Sequence, residues 1–339
     1  MGPKYKRMSD FSMKKEFEIK TEHRGLTFRY KGAGLKRVDN IDIKSEHLGK
    51  YYFNFSEVCD PSWPFDENGV RLRPYPPPLF YQYLPVAIAE YALDQHRIYL
   101  ETKEDKYKLS FLKNAKWFLN NQRVIDGKYG MWLCNSSWQS KYNVIYPCPD
   151  AMSQGYGISL LLRAYQMTEE EAYREAAHLA LRSYECDVVN GGIRNRFKGH
   201  VFYEEAPSIP PSCILNGFIF SLLGPYDLYR VEGDMKAKEI FETGIETLEK
   251  CLTYYDIGYW SLYNLQYNKY LASKYYHNIH IIQLLLLYEI TNSKIFYNYA
   301  EKWNAYRNNI SCLFRYYRDF FYYRYKYKLK RIAFLLSSC

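Results

Sequence analysis

The sequence predicts a mainly α-helical protein, an α/α toroid or barrel of about four helix pairs with a short extended or β segment ahead of them. Two observations predict it. From Gln82 onward a two-helix unit repeats, and its elbow recurs as Tyr99-Leu-Glu-Thr, Tyr165-Gln-Met-Thr, Tyr229-Arg-Val-Glu and Tyr288-Glu-Ile-Thr. These elbows fall about 60 to 65 residues apart, a period that marks stacked supersecondary units. The helix before each elbow is relatively apolar and the helix after it is amphipathic, as alternating inner and outer helices around a ring require. An open helical-repeat solenoid fits the same pattern.

Taken in order, residues 1–80 form the extended or β segment, carrying Leu26-Thr-Phe-Arg-Tyr, Tyr51-Tyr-Phe-Asn-Phe and the proline run from Pro74, and are expected to pack beside the helices. Residues 81–310 form the helical body. Its apolar members are expected over Leu84 to Tyr99, Met152 to Tyr165, Pro211 to Tyr229 and His277 to Tyr288. The second members keep one apolar face, as Tyr107, Phe111, Ala115 and Phe118 do, or Ile240, Ile245, Leu248 and Leu252. Thr168, ahead of three glutamates, reads as a helix N-terminal cap, and Gly233-Asp234 and Thr291-Asn292 mark two further elbows. The connections Ile125 to Asp150, Val188 to Pro210 and Tyr254 to Tyr276 are much longer than the elbows and are expected together on one face, where long loops in compact domains carry function. Residues 311–339 form a tail that interleaves aromatic with basic side chains. It reads either as a helix packed on the domain or as a dock for a membrane surface, a glycosyltransferase partner or an acidic glycan.

Composition bounds function more loosely. A hydrophobic fraction of 47% with 24% charged residues excludes intrinsic disorder and allows a large core. The 38 tyrosines suit sugar stacking, and they equally suit a biased coding composition. A net charge of +9 favours anionic partners, and the absence of any recognisable nucleic-acid motif points away from nucleic acid. The eight cysteines have no CxxC pair and no zinc-ligand spacing, so free thiols and no metal site are expected. With no apolar signal region near the first residues, and with the apolar run Ile281 to Leu287 too short to span a bilayer, a cytoplasmic, peripherally membrane-associated setting is expected.

Four stretches, in order, carry a family resemblance. They are Ala151-Met-Ser-Gln-Gly-Tyr-Gly-Ile-Ser, Val201-Phe-Tyr-Glu-Glu-Ala-Pro followed by Ser212-Cys-Ile-Leu-Asn-Gly-Phe, Tyr255-Asp-Ile-Gly with Leu262-Tyr-Asn-Leu, and Tyr276-His-Asn-Ile-His-Ile-Ile-Gln-Leu. Over about residues 80 to 307 the chain resembles the C-terminal catalytic domain of D-glucuronyl C5-epimerases. That family inverts C5 of D-glucuronate within a heparan-type chain, giving L-iduronate, without a redox cofactor. The resemblance therefore implies an isomerase of an acidic, heparosan-like polysaccharide that needs no cofactor, with a second copy of the chain as a further expected partner.

The reaction removes a proton beside a carboxylate and returns one to the opposite face, so it needs two opposed acid/base groups and donors for the charge that builds up. The resemblance places the family's essential carboxylate on Glu205 and its two essential tyrosines on Tyr263 and Tyr276. Tyr203, Glu204, Gln154 and Asn216 match residues that line or buttress the cleft. His277 and His280 follow Tyr276, and His280, four residues on, shares its helical face and is expected to reach the substrate carboxylate. Each supporting residue also has an ordinary structural reading: Glu204 as a solvated loop acid, Gln154 and Asn216 as helix bridges, and the two histidines as core residues. The chain departs from the family at two positions. Ala206 stands where a tyrosine is common, and Gln266 stands where an arginine able to pair with the uronate is common. A lyase on the same scaffold and a non-catalytic acidic-glycan-binding protein are the competing readings.

Overall fold

The structure, a computed structural model, describes residues 35–39, 41–77, 79–135, 142, 144, 147–266 and 270–337, with 324 and 326–337 described by their backbone alone. The expected strand at Leu26 to Tyr30 lies outside the described residues. Eight helices form four consecutive pairs: α1 (Pro85–Thr102) with α2 (Asp105–Asn121), α3 (Ala151–Thr168) with α4 (Glu171–Arg182), α5 (Leu215–Glu232) with α6 (Met235–Tyr255), and α7 (Lys274–Thr291) with α8 (Lys294–Asn308). A further helix, α9 (Ile310–Ser337), follows. The first members pack in sequence, α1 on α3, α3 on α5 and α5 on α7, while each second member backs its own partner. These are the inner and outer layers of the α/α plan. The inner helices α3 and α5 are buried almost throughout, whereas α2, α4, α6 and α8 bury one face each.

The four repeated tyrosines mark one recurring device. At every elbow the chain turns through a left-handed residue, Lys103, Glu169, Gly233 or Asn292, whose backbone N–H donates to the carbonyl of Tyr99, Tyr165, Tyr229 or Tyr288. That bond satisfies a carbonyl the helix end would otherwise leave open. In three elbows a threonine, Thr102, Thr168 or Thr291, donates its hydroxyl back to the carbonyl four residues earlier and accepts the N–H two residues later. Thr168 is therefore the last residue of α3 and not the cap of α4, which begins after Glu170. Its backbone is already helical, so its side chain serves the helix that is ending.

The α3 and α5 backbones nearly touch. A Cβ on Gly155 would come within 2.7 Å of the Ser221 backbone, and one on Gly224 within 2.5 Å of the Gly155 carbonyl, so only glycine allows this approach. Pro225 inside α5 cannot donate to the Ser221 carbonyl, which instead accepts the Tyr184 hydroxyl at 2.6 Å. At the far end of this pair, Arg163 of α3 donates to Asp227 of α5 at 2.8 Å, and Asp227 also accepts from Tyr52 and Arg230.

Tyr52 belongs to the segment ahead of the helices, which packs against the inner helices α3 and α5. Tyr51, Tyr52, Phe53 and Phe55 are at most 1% exposed, with Tyr51 and Phe55 edge-on to Tyr156 of α3 and Phe53 edge-on to Phe220 of α5. Four large rings this close together gain by leaving water against the inner helices. Two short antiparallel pairs flank them, β1 (Lys36–Arg37) with β2 (Phe53–Asn54) and β3 (Arg73–Pro74) with β4 (Tyr81–Gln82). The long connections hold three more: β5 (Arg123–Ile125) with β6 (Tyr129–Met131), β7 (Leu133–Cys134) with β8 (Cys148–Pro149), and β9 (Arg194–Phe197) with β10 (His200–Tyr203).

Candidate active site

The three long connections meet. Tyr142 from the first, Ala206 from the second with Ile214 just beyond it, and Tyr263 and Ala272 from the third pack as one buried cluster, with Tyr270 and Tyr276 against it. The candidate residues gather around that cluster.

The β9–β10 hairpin delivers two adjacent glutamates into different surroundings. The Glu204 backbone is fixed on both sides, donating to Ile193 at 2.8 Å and accepting from Ala151 at the start of α3 at 2.9 Å. Its carboxylate is fully buried and accepts from the Ser212 hydroxyl and, at 3.0 Å, from the Cys213 amide. Burial pushes this carboxyl up to about 8, with those two hydrogen bonds pulling it back. Glu204 is thus not a solvated loop acid; it ties the hairpin to the strand of chain leading into α5. Glu205, 4% exposed, instead lies along the first turn of α5, where Asn216 Nδ2 donates to its Oε2 at 3.4 Å. Gly217 makes room for it: a Cβ there would fall 2.1 Å from Glu205 Oε2.

Tyr263 is held by its backbone, donating to Tyr270 at 2.8 Å and accepting from Leu215, the first residue of α5, at 3.1 Å. Its ring lies 4.7 Å from that of Tyr276 at 60°. Burial raises its phenol well above the ordinary value, and the nearby Glu205 carboxylate and the Tyr276, Tyr142 and Tyr270 phenols push it further. Tyr263 therefore keeps its proton, as a neutral acid beside a carboxylate must. Tyr276 sits in the first turn of α7, where its amide donates to the Ser273 hydroxyl that caps the helix.

The supporting residues separate into two groups. Asn216 touches Glu205 directly, and its backbone carbonyl accepts from Gln283 of α7 at 2.9 Å, joining α5 to α7 behind the carboxylate. Gln266 donates to Ser208 and to the Pro210 carbonyl, at 3.3 and 2.8 Å, bracing the loop after Glu205. The others face the interior. Gln154 exchanges hydrogen bonds with the Trp132 backbone, and Tyr203 packs edge-on against Tyr184. His277 is fully buried, stacked on Trp260 at 3.9 Å; its Nδ1 accepts from the Ser261 amide, which leaves Nε2–H to donate to the Trp303 carbonyl. His280 does share the Tyr276 side of α7, yet its Nδ1 meets the Ser261 hydroxyl at 2.9 Å and the ring is wholly buried. Burial lowers both imidazoles, His277 to about 4, so each is neutral and neither offers a cation to a carboxylate. Helical spacing placed His280 on the right face but not at the right depth.

Tyr142 was not singled out by sequence reasoning. It is fully buried against Ala206 and Tyr263, and its hydroxyl accepts from Asn264 Nδ2 at 3.0 Å. Its only signal was membership in a long connection. Among the described residues no three His, Cys, Asp or Glu side chains are placed to hold a metal ion.

The chain is similar to D-glucuronyl C5-epimerase of Caenorhabditis elegans, 30% identical over 221 residues, which cover 60% of this chain and 36% of that one. It is likewise similar to an uncharacterized protein of Methanocaldococcus jannaschii, 30% identical over 166 residues, 48% of this chain and 53% of the other. The chain thus spans about a third of the first relative and about half of the second. Among solved structures, it is similar to the Lin0763 protein from Listeria innocua at 16% identity and a TM-score of 0.39, over 65% of this chain and 56% of that one. The family described as D-glucuronyl C5-epimerase C-terminus matches residues 126–305, more than half of the chain and the whole of the cluster around Glu205 and Tyr263, and the chain belongs to that family.

Proposed function

We propose that this chain epimerises a uronate at C5 within an acidic, heparosan-like polysaccharide. The observation that carries the reading is the convergence of Glu205, Tyr263 and Tyr276 from three separate elements, with the Tyr263 phenol held neutral beside the Glu205 carboxylate. In this reaction Glu205 accepts the C5 proton: the C5–H bond breaks, a carboxyl O–H forms, and the electron pair moves onto the uronate carboxylate. Tyr263 or Tyr276 then donates a phenolic proton to the other face of C5, and the phenolate left behind is reprotonated while Glu205 loses its proton, so the enzyme is restored. A phenol whose proton is tightly held donates only to a strongly basic carbon, which suits the second step. The Tyr142 hydroxyl, beside the Ala206 methyl group, supplies a third phenol on the side where the family commonly has a tyrosine.

The test is NMR of heparosan incubated with the protein in D₂O. Deuterium at uronate C5 with new iduronate signals and intact chains supports the reading, and Glu205→Gln should then slow exchange at least about a hundredfold while leaving the fold unchanged. Unsaturated chain ends would make the protein a lyase, since elimination starts with the same proton but expels the C4 oxygen. Wild-type exchange in Glu205→Gln would remove that residue from the mechanism.

A further inference from the structure

The helix α9 has two aromatic faces, and only one is covered. Leu313, Tyr316, Phe320 and Tyr323 pack with Tyr259, Trp260, Leu271 and Tyr306, and the Tyr259 hydroxyl donates to Asp319 on the same side. A second face carries Ile310, Phe314, Tyr317, Phe321 and Tyr325, spaced by four, three, four and four residues, as one stripe along a helix must be. Their exposures are 80%, 70%, 42%, 61% and 64%. Scattered exposed apolar residues are ordinary, but a continuous stripe of them marks an interaction surface.

We propose that this uncovered face of α9 docks the protein onto an anionic membrane surface, the aromatic stripe entering the interface and the flanking cations meeting lipid phosphates. Residues 310–337 hold seven Lys and Arg and a single acid, Asp319, which is already engaged by Tyr259 and Arg318. Lys274, from the start of α7, adds a further cation over the Tyr317 ring at 4.7 Å. A helix with an apolar stripe and a basic remainder lies in a bilayer interface rather than across it, and no helix among the described residues is long and apolar enough to cross. The same excess of positive charge opposes a second copy of α9 as the occupant. An acidic glycan would satisfy the cations but gain little from Ile310, Phe314 and Phe321, which have no hydrogen-bonding groups. Lipid satisfies both.

The experiment is co-sedimentation of the full chain with vesicles of phosphatidylcholine alone and of phosphatidylcholine with phosphatidylserine, at low and high salt. Binding to the anionic vesicles that weakens with salt is expected. The double variant Phe314→Ser/Phe321→Ser, whose side chains touch water in the native fold, should keep the native circular dichroism and lose at least about tenfold in partition. Equal binding to both vesicle types, or no loss in the variant, would overturn the proposal. So would a wild-type chain that ignores vesicles but forms a dimer, by light scattering, that the variant abolishes. None of these outcomes depends on the epimerase reading.

Discussion

Replacing Glu204 by glutamine should flatten the pH dependence of stability without touching the chemistry. In the folded chain this carboxyl rises from its ordinary 4.5 to about 8, because burial disfavours the charged form more than the Ser212 and Cys213 hydrogen bonds favour it. Between those two values the native state holds a proton that the unfolded chain has released. Stability from this group is therefore fully present below about 4.5 and is lost as pH rises through about 8. At about 1.4 kcal/mol per tenfold change, the wild type should lose about 3 to 4 kcal/mol from this site between pH 5 and pH 8. Glutamine keeps an oxygen for Ser212 and Cys213 but cannot titrate. Urea unfolding of both proteins across that range reads the effect as a difference, which cancels every other titrating group. The two curves should nearly meet at low pH and separate at high pH with the variant the more stable. Parallel curves would refute the burial argument, and loss of C5 exchange in Glu204→Gln would add Glu204 to the reacting groups.

Two further substitutions test the site's construction. Gly217→Ala would gain about 1 kcal/mol of helix propensity but places a Cβ 2.1 Å from Glu205 Oε2, so overpacking should win: a net loss of about 1–2 kcal/mol in thermal unfolding, with exchange reduced at least as much as by a change at Asn216. Tyr142→Phe removes one hydroxyl and the Asn264 hydrogen bond, about 1 kcal/mol, and should lower the exchange rate about tenfold or more with little change in substrate affinity; an unchanged rate would leave Tyr142 a packing residue.

The helix pairs were legible because their signals are local. A tyrosine at each elbow, a threonine three residues on in three of the four and an apolar helix before it all describe one turn of chain, and the structure closes each with the same left-handed cap. The Tyr51 to Phe55 segment was legible as extended chain beside the helices, but not which helices receive it; that depended on Tyr156 and Phe220, more than 100 residues away. The short strands of the connections are two to four residues long and leave no periodic pattern to read. At the site, the family resemblance named Glu205, Tyr263 and Tyr276, but it could not separate a residue that reaches the cluster from one that supports it. His277 and Glu204 sit one residue from Tyr276 and Glu205, and a single step along the chain was enough to turn both inward.

The two departures at Ala206 and Gln266 do not weigh equally in the proposed mechanism. A tyrosine lost from one connection can be replaced from another, because the three connections share a cluster: the Ala206 methyl group is fully buried, and the Tyr142 ring fills the space beside it with a hydroxyl already fixed by Asn264. At position 266 the chain carries a neutral amide where a cation is common in the family. The Gln266 amide is held by Ser208 and Pro210, where it stiffens the loop that follows Glu205 and brings no charge to a uronate. In the proposed mechanism the first change is expected to preserve proton transfer and the second to weaken electrostatic capture of the substrate.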